Sequence, residues 1–242
     1  MKGVILAGGK GTRLYPLTKV TNKHLLPVGR EPMIYNPIKQ LILCGIKDIL
    51  IITSKEHIED LIRLLGSGKQ FQCNFHFKVQ ENTLGIANAL SLAESFAEGE
   101  PIVVILGDNI MTYSIKKYVE DFKKQEKGAK VLLKEVKNPE RYGVAVIDKL
   151  KVIQIEEKPI NPKSNFAVIG VYMYDNQVFD IIRNITPSKR GEYEITSVNN
   201  IYIENGQLTY DILEGEWMDA GTFESLKYAN DMLFKSNNEI QY

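Results

Sequence analysis

Residues 4–13 read Val4-Ile5-Leu6-Ala7-Gly8-Gly9-Lys10-Gly11-Thr12-Arg13. Four apolar residues closed by two glycines predict a buried strand that runs into a tight loop. In an open parallel sheet, ligands sit at the carboxyl ends of the strands. Glycines there let backbone N–H groups close on phosphate oxygens, because no Cβ blocks the approach. Arg13 adds a fork of donors suited to phosphate. The loop is not a Walker A, and Leu14 stands where the third glycine of GxGxxG belongs. Phosphate binding is the reading; a plain turn with a solvated Arg13 is the alternative.

The rhythm set by this strand continues outward. Met33 to Cys44 has helical spacing, Ile49 to Ile52 is strand-like, and Ile58 to Leu65 is helical. Phe75 to Val79 reads as a strand, Ile86 to Phe96 as a helix, Ile102 to Leu106 as a strand and Tyr113 to Phe122 as a helix. Strands alternating with helices predict an α/β fold with a mostly parallel central sheet and helices on both faces. After Gly128 the chain becomes strand-rich: Lys130 to Val136, Gly143 to Ile147, Val152 to Ile155, Val168 to Tyr174 and Leu208 to Ile212. Helices are expected at Gln177 to Arg183, Ile195 to Ile203 and Thr222 to Leu233.

The chain has 242 residues, 30 Lys+Arg and 30 Asp+Glu. At about 150 residues per domain this is one large domain or two small ones. With no linker and no repeat, a single domain over 1–242 fits best. The charge balance argues against a general grip on nucleic acid or an anionic membrane. Cys44 and Cys73 form no CxxC, which predicts reduced, part-buried thiols of a cytoplasmic protein. The three histidines form no zinc pattern. The apolar runs are strand-sized, too short for a signal peptide or a membrane span.

Several polar residues stand out. Asp108, in Leu106-Gly107-Asp108-Asn109, is a charge at the end of the most apolar run, where α/β ligands bind. Lys23 leads the stretch His24-Leu25-Leu26-Pro27; on residue logic alone it is a surface lysine. Asp219 is the natural second carboxylate; the alternative for it is the N-terminal cap of the last helix. Glu156-Glu157-Lys158-Pro159 reads as a charged strand end on the surface, with Pro159 holding it extended. Gln80 ends a strand and offers both donor and acceptor. Glu192 reads as a solvated first-turn acid.

The pieces LAGGKGTRLYPLT, NKHLLPV, PMIYNPI, LGDN, RYGV, EEKP, RGEYEIT and WMDAGT occur here in order. In order and approximate spacing the chain resembles the sugar-1-phosphate nucleotidyltransferases, most closely the glucose-1-phosphate thymidylyltransferases. The likeness runs from residue 1 to about 233, nearly the whole chain. It implies a Rossmann-like sheet of the nucleotide-diphospho-sugar transferase type. Residues 1–125 would mainly hold the nucleotide and 126–242 mainly the sugar.

The resemblance also implies roles. Leu6, Gly8, Gly9, Gly11, Thr12, Arg13, Lys23, Gln80, Gly85 and Asp108 would bind the nucleoside triphosphate, with Gln80 and Gly85 reading a pyrimidine. Asn109, Tyr142, Gly143, Glu157, Lys158, Val168, Gly170 and Glu192 would bind the sugar 1-phosphate. Asp108 and Asp219 would hold Mg²⁺, and Arg13, Lys23, Asp108, Lys158 and Asp219 would carry catalysis. Each Asp→Asn change would then cost turnover without costing stability. A homo-oligomer is implied, with no nucleic-acid or membrane partner.

The expected reaction is transfer from dTTP, or UTP, to glucose 1-phosphate. A glycosyltransferase is disfavoured, because Asn109 and Ile110 follow Asp108 where an Asp-x-Asp would stand. A silent sugar-nucleotide sensor is disfavoured by retention of the charged set. Two departures fall on the nucleotide side. Family members commonly have Pro-Lys-Gln where this chain has Asn22-Lys23-His24, and Glu81 to Leu84 lacks the usual Pro and Asp-Gly. Both predict a looser thymidine preference. Lys235 to Tyr242 is polar and reads as a frayed tail. Twenty residues follow Thr222, fewer than in the long family members that build a second nucleotide-sugar site. Product inhibition is therefore expected to be competitive at the active site.

Overall fold

The computed structural model describes residues 1–235, so the expected tail lies outside it from residue 236 on. In chain order it forms β1 (Lys2–Ala7), β2 (Pro27–Val28), β3 (Glu31–Pro32), α1 (Tyr35–Leu43), β4 (Asp48–Ser54), α2 (Ile58–Leu65) and β5 (Asn74–Gln80). Then come α3 (Ile86–Ser91), α4 (Glu94–Ala97), β6 (Ile102–Leu106), β7 (Asn109–Met111), α5 (Lys116–Lys123), β8 (Ala129–Glu135) and β9 (Gly143–Asp148). The last are β10 (Lys151–Glu157), β11 (Phe166–Tyr174), α6 (Gln177–Asn184), α7 (Ile195–Glu204), β12 (Leu208–Ile212), β13 (Trp217–Asp219) and α8 (Phe223–Lys235). The fold is mixed α/β, as the alternation of runs predicts.

The chain divides into two compact units. The first holds Lys2–Thr83, Ile105–Lys117 and the described residues from Glu214 on. Its sheet is parallel, in the order β1-β4-β5, with Ala7 beside Thr53 and Ser54 beside Gln80. Val4, Ile5, Ile49, Ile51 and Ile52 are fully buried, as parallel strands covered on both faces require. The ladders end level, so Ala7, Thr53 and Gln80 share one carboxyl edge. Thr53 Oγ1 donates to Ala7 O at 3.0 Å across it. A separate cluster of Leu14, Leu26, Val28, Met33, Ile110, Ala220, Met232 and Leu233 packs α8 under the loops. Burying each such large side chain stabilises by about 1.5–3 kcal/mol.

The second unit holds Met1, Leu84–Val104 and Tyr118–Leu213. Here β10-β9-β11 pair antiparallel, β8 pairs antiparallel with β11, and β12 lies parallel to β8. This is the strand-rich part of the chain. Tyr172, Tyr174 and Tyr202 stack along it, with centroids 6.0 and 5.7 Å apart.

Several expected boundaries shift, three of them for a clear local reason. The helix expected over Ile86 to Phe96 breaks into α3 and α4. At the joint Leu92 and Ala93 bond to Ala89 O and Leu90 O, the tighter i→i−3 pattern. The helix expected from Tyr113 starts at Lys116, whose N–H donates to Ser114 Oγ at 3.2 Å. The last helix starts at Phe223, and its cap is Thr222, whose Oγ1 accepts from Ser225 N–H at 3.2 Å. Asp219 is a strand residue of β13, so the capping alternative for it fails. Neither cysteine is in a disulfide, and both are buried. Among the described residues no helix is long and apolar enough to cross a membrane.

Candidate active site

In the first unit the glycine loop lies where β1 ends. Gly11 takes φ 63, a left-handed conformation that favours glycine, and Thr18 Oγ1 donates to its carbonyl at 2.9 Å. A Cβ on Gly8 would lie 2.4 Å from Gln80 Oε1, and one on Gly9 would lie 3.3 Å from Lys23 Nζ. The absence of side chains thus lets Gln80 and Lys23 reach across the loop. Gln80 is buried, not turned to solvent as the last residue of a strand often is. Thr12 and Arg13 are exposed on a single 3₁₀ turn. Leu6 is buried, and its carbonyl accepts from Gly107 N–H at 2.9 Å.

Lys23 is not a surface lysine. Asn22 caps the 3₁₀ turn Lys23–Leu25, and the Lys23 side chain is 12% exposed, ion-paired with Asp108. Burial alone would push the Asp108 carboxyl up. The Lys23 ammonium, helped by His24 and by a 3.2 Å bond from Asn109 Nδ2, holds it below the usual carboxylate range.

His24 is fully enclosed. Asn22 Oδ1 accepts from both His24 N–H (2.8 Å) and His24 Nδ1 (2.6 Å), which puts the ring proton on Nδ1. Burial, reinforced by the neighbouring Lys23 charge, lowers its pKa to about 3. A Cβ on Gly107 would lie 2.7 Å from the His24 ring, so the imidazole braces the Gly107-Asp108 turn. A proton is taken up by the unfolded chain below about pH 6.5 and by the folded one only near pH 3. Stability contributed by neutral His24 is therefore full above pH 6.5 and falls as pH drops toward 3, by at most about 1.4 kcal/mol per pH unit. Urea unfolding of His24→Gln between pH 4 and 7 should show a flatter acid limb than the parent; identical limbs would refute this.

Asp219 reaches Asp108 through a ladder too short to read from sequence. β13 pairs antiparallel with β7, setting Asp219 opposite Asn109. Ala220 N–H donates to Asp108 O at 2.9 Å, and Trp217 Nε1 donates to Asn109 Oδ1 at 2.7 Å. A Cβ on Gly221 would lie 2.8 Å from both Arg13 Nη2 and Asp219 Oδ1. Arg13, Lys23, Asp108 and Asp219 thus gather in this unit. No group of three or more His, Cys, Asp or Glu residues that could hold a metal ion occurs among the described residues. Two hard carboxylates suit a small divalent cation that takes its remaining ligands from phosphate oxygens and water.

In the second unit, β9 places Gly143 between Glu157 of β10 and Val168 of β11. Glu157 Oε2 accepts from Thr196 Oγ1 at 2.5 Å, and Arg190 Nη1 lies 3.5 Å from Glu157 Oε1. The side chain of Glu157 is 23% exposed, less than a solvated strand end. Lys158 departs from expectation. Instead of extending before Pro159, it takes φ +43, a rare conformation for a residue with a side chain. Its N–H donates to Tyr142 O at 3.0 Å, and its ammonium lies 3.8 Å from Glu157. Such strain persists where surroundings over-determine it, often at functional sites. Gly170 is buried in β11.

Glu192 precedes α7 rather than opening it, and Arg190 Nη2 lies 3.4 Å from it. Glu194, the buried N-cap of α7, has its carboxyl raised by burial, and accepts from Ser188 Oγ at 2.9 Å and Arg190 at 3.3 Å. Arg190, Glu194 and Thr196 carry this network, and sequence reasoning missed all three; RGEYEIT held the only signal. Gly85, with φ +104, packs where a Cβ would lie 2.5 Å from Tyr193 O.

The model of the nucleotidyl transferase family matches residues 2–236. A glucose-1-phosphate thymidylyltransferase of Neisseria meningitidis serogroup A is 44% identical over 233 residues, 95% of this chain and 81% of that protein. One from Mycolicibacterium smegmatis is 42% identical over 241 residues, 96% of this chain and 82% of that protein. A crystal structure of a Bacillus anthracis protein assigned as a glucose-1-phosphate thymidylyltransferase, in complex with sucrose, superposes with TM-score 0.92 at 56% identity, covering 96% of this chain and 94% of that one. A UDP-glucose pyrophosphorylase complexed with UDP-glucose gives TM-score 0.87 at 25% identity, covering 97% and 98%.

Proposed function

The chain belongs to the nucleotidyl transferase family, and we propose that it transfers the nucleotidyl group of dTTP, or UTP, to glucose 1-phosphate, releasing pyrophosphate. The observation that carries this is the gathering of the glycine loop, Lys23 and Asp108 around the end of β1. The names of its relatives supply the sugar and the base.

The sugar phosphate is largely dianionic at pH 7, since its second pKa is about 6. It needs no general base. One of its oxygens attacks the α-phosphorus in line, the P–O bond to the β-phosphate breaks, and pyrophosphate leaves with the electron pair. Catalysis is then positioning and charge neutralisation. Arg13 and the Gly8–Gly11 backbone N–H groups hold the departing pyrophosphate. Lys23 shares its charge between Asp108 and the α-phosphate. Asp108 and Asp219 would hold Mg²⁺, which supplies Lewis-acid neutralisation of phosphate charge. Glu157 accepts from sugar hydroxyls beside Gly143, while Lys158 binds the sugar phosphate, with Arg190 and Thr196 orienting the Glu157 carboxylate.

Lys158→Ala should raise the sugar-phosphate KM and lower kcat, together costing about 10–100-fold in kcat/KM, because a charge-assisted bond is lost. Steady-state kinetics with each substrate varied would read this; a change confined to the nucleotide KM would reverse the assignment of sides. The proposal as a whole is tested with dTTP, UTP, CTP, ATP and GTP against several sugar 1-phosphates. The amide of Gln80 favours dTTP and UTP over ATP and GTP with glucose 1-phosphate. The thymine methyl adds a preference of only about 1–3 kcal/mol. A kinetic preference for a purine triphosphate would overturn the base assignment.

A further inference from the structure

Two buried amides on α1 grip the backbone that carries Asp108. Asn36 and Gln40 lie four residues apart, so they share one face of the helix. Asn36 Oδ1 accepts from Met111 N–H and Asn36 Nδ2 donates to Met111 O, both at 3.0 Å. Gln40 Oε1 accepts from Ile115 N–H at 3.0 Å, and Gln40 Nε2 donates to Tyr113 O at 2.9 Å. Both side chains are buried, Gln40 completely. Reversing either amide would set N–H against N–H and O against O, so each has one working orientation.

The other edge of the same segment is taken as well. Ala220 N–H donates to Asp108 O and Thr112 N–H to Glu216 O at 3.1 Å, on the β13 side. Successive residues of a strand present their backbone groups to opposite edges. β7 therefore lies between β13 and the two amides, which act as a partner strand would. Chain from 108 to 115 has little freedom to slide in this grip.

We propose that Asn36 and Gln40 are positioning residues that fix β7, and through it the Asp108–Asp219 carboxylate pair, in register for the divalent cation. This rests on the reading of those two carboxylates as the cation's ligands. Both amides bond to backbone rather than to either carboxylate. Their effect is carried by the backbone of Met111, Tyr113 and Ile115.

The test uses Mn²⁺ titrated into the full-length protein with dTTP and no sugar phosphate, free Mn²⁺ being read by electron paramagnetic resonance. Asn36→Leu keeps the size of the side chain and removes both bonds. It should weaken Mn²⁺ binding about 10–100-fold, the range seen when groups supporting metal ligands are lost. Asn36→Asp keeps the acceptor for Met111 N–H and should fall in between. A purely structural role would lower the melting temperature and leave Mn²⁺ affinity unchanged, and that result would overturn the proposal. Asp108→Asn is the reference. If it too leaves Mn²⁺ affinity unchanged, the metal reading fails; if it alone weakens binding, only the positioning role fails. Should Asn36→Leu not fold, amide hydrogen exchange in the parent protein decides. Met111 and Ile115 N–H should exchange as slowly as the central amides of β4, and rapid exchange at either would contradict the grip.

Discussion

Asp108→Asn should lower kcat by a factor on the order of 10²–10³ in a protein that still folds, the cost of losing one well-placed charge from a phosphate site. Two carboxylates considered alone repel, so removing either charge would be neutral or stabilising. The structure changes that expectation at position 108. Lys23 is ion-paired with Asp108, and its side chain is 12% exposed. Asparagine leaves that ammonium without its counter-charge in a partly desolvated place, which destabilises. The melting temperature should therefore fall modestly for Asp108→Asn. The folded carboxyl is held below its ordinary value. Its stabilising contribution is full above the unfolded pKa of about 3.9 and is lost only as pH falls through the lower folded value. Between pH 5 and 8 the loss should be constant. Turnover within tenfold of the parent, in a folded variant at saturating Mg²⁺, would remove Asp108 from the machinery.

Lys23→Met should have an effect of similar size and a different signature. Methionine keeps the length of the stem and removes the charge. Burial pushes the Asp108 carboxyl up, and the Lys23 ammonium is the main force holding it down. Without it, Asp108 takes up a proton at higher pH. The rate should drop by a factor on the order of 10², and the acid limb of kcat/KM should move to higher pH. Profiles from pH 5 to 9 would show the shift. An unmoved acid limb with a rate near that of the parent would mean that the pair is incidental to the chemistry.

How much was legible before the structure follows from what a sequence can encode locally. Val4 to Ala7, Ile49 to Ile52 and Ile102 to Leu106 are long enough, and apolar enough, to announce buried strands. Asn109–Met111 and Trp217–Asp219 are three residues each. Three residues carry no period, so the ladder that joins Asp219 to Asn109 was invisible. Tyr113 has helical neighbours in sequence, yet its carbonyl is taken by Gln40, 73 residues away. Lys23 sits in a polar context that suggests the surface; its burial depends on Asp108, 85 residues on. Arg190 matters through Glu157, Glu192 and Glu194, a convergence that only folding creates. Lys158 precedes a proline, where extended backbone is the rule, and adopts φ +43 instead. In each case a distant contact overrides a local preference.

The most direct measurement of the central claim is the product balance with dTTP, glucose 1-phosphate and Mg²⁺ together, and with each substrate omitted in turn. Pyrophosphate is quantified enzymatically and the sugar nucleotide by mass. In-line transfer without a covalent intermediate predicts one pyrophosphate per dTDP-glucose, and neither product when dTTP or glucose 1-phosphate is left out. Pyrophosphate released from dTTP alone, or orthophosphate in place of pyrophosphate, would contradict it.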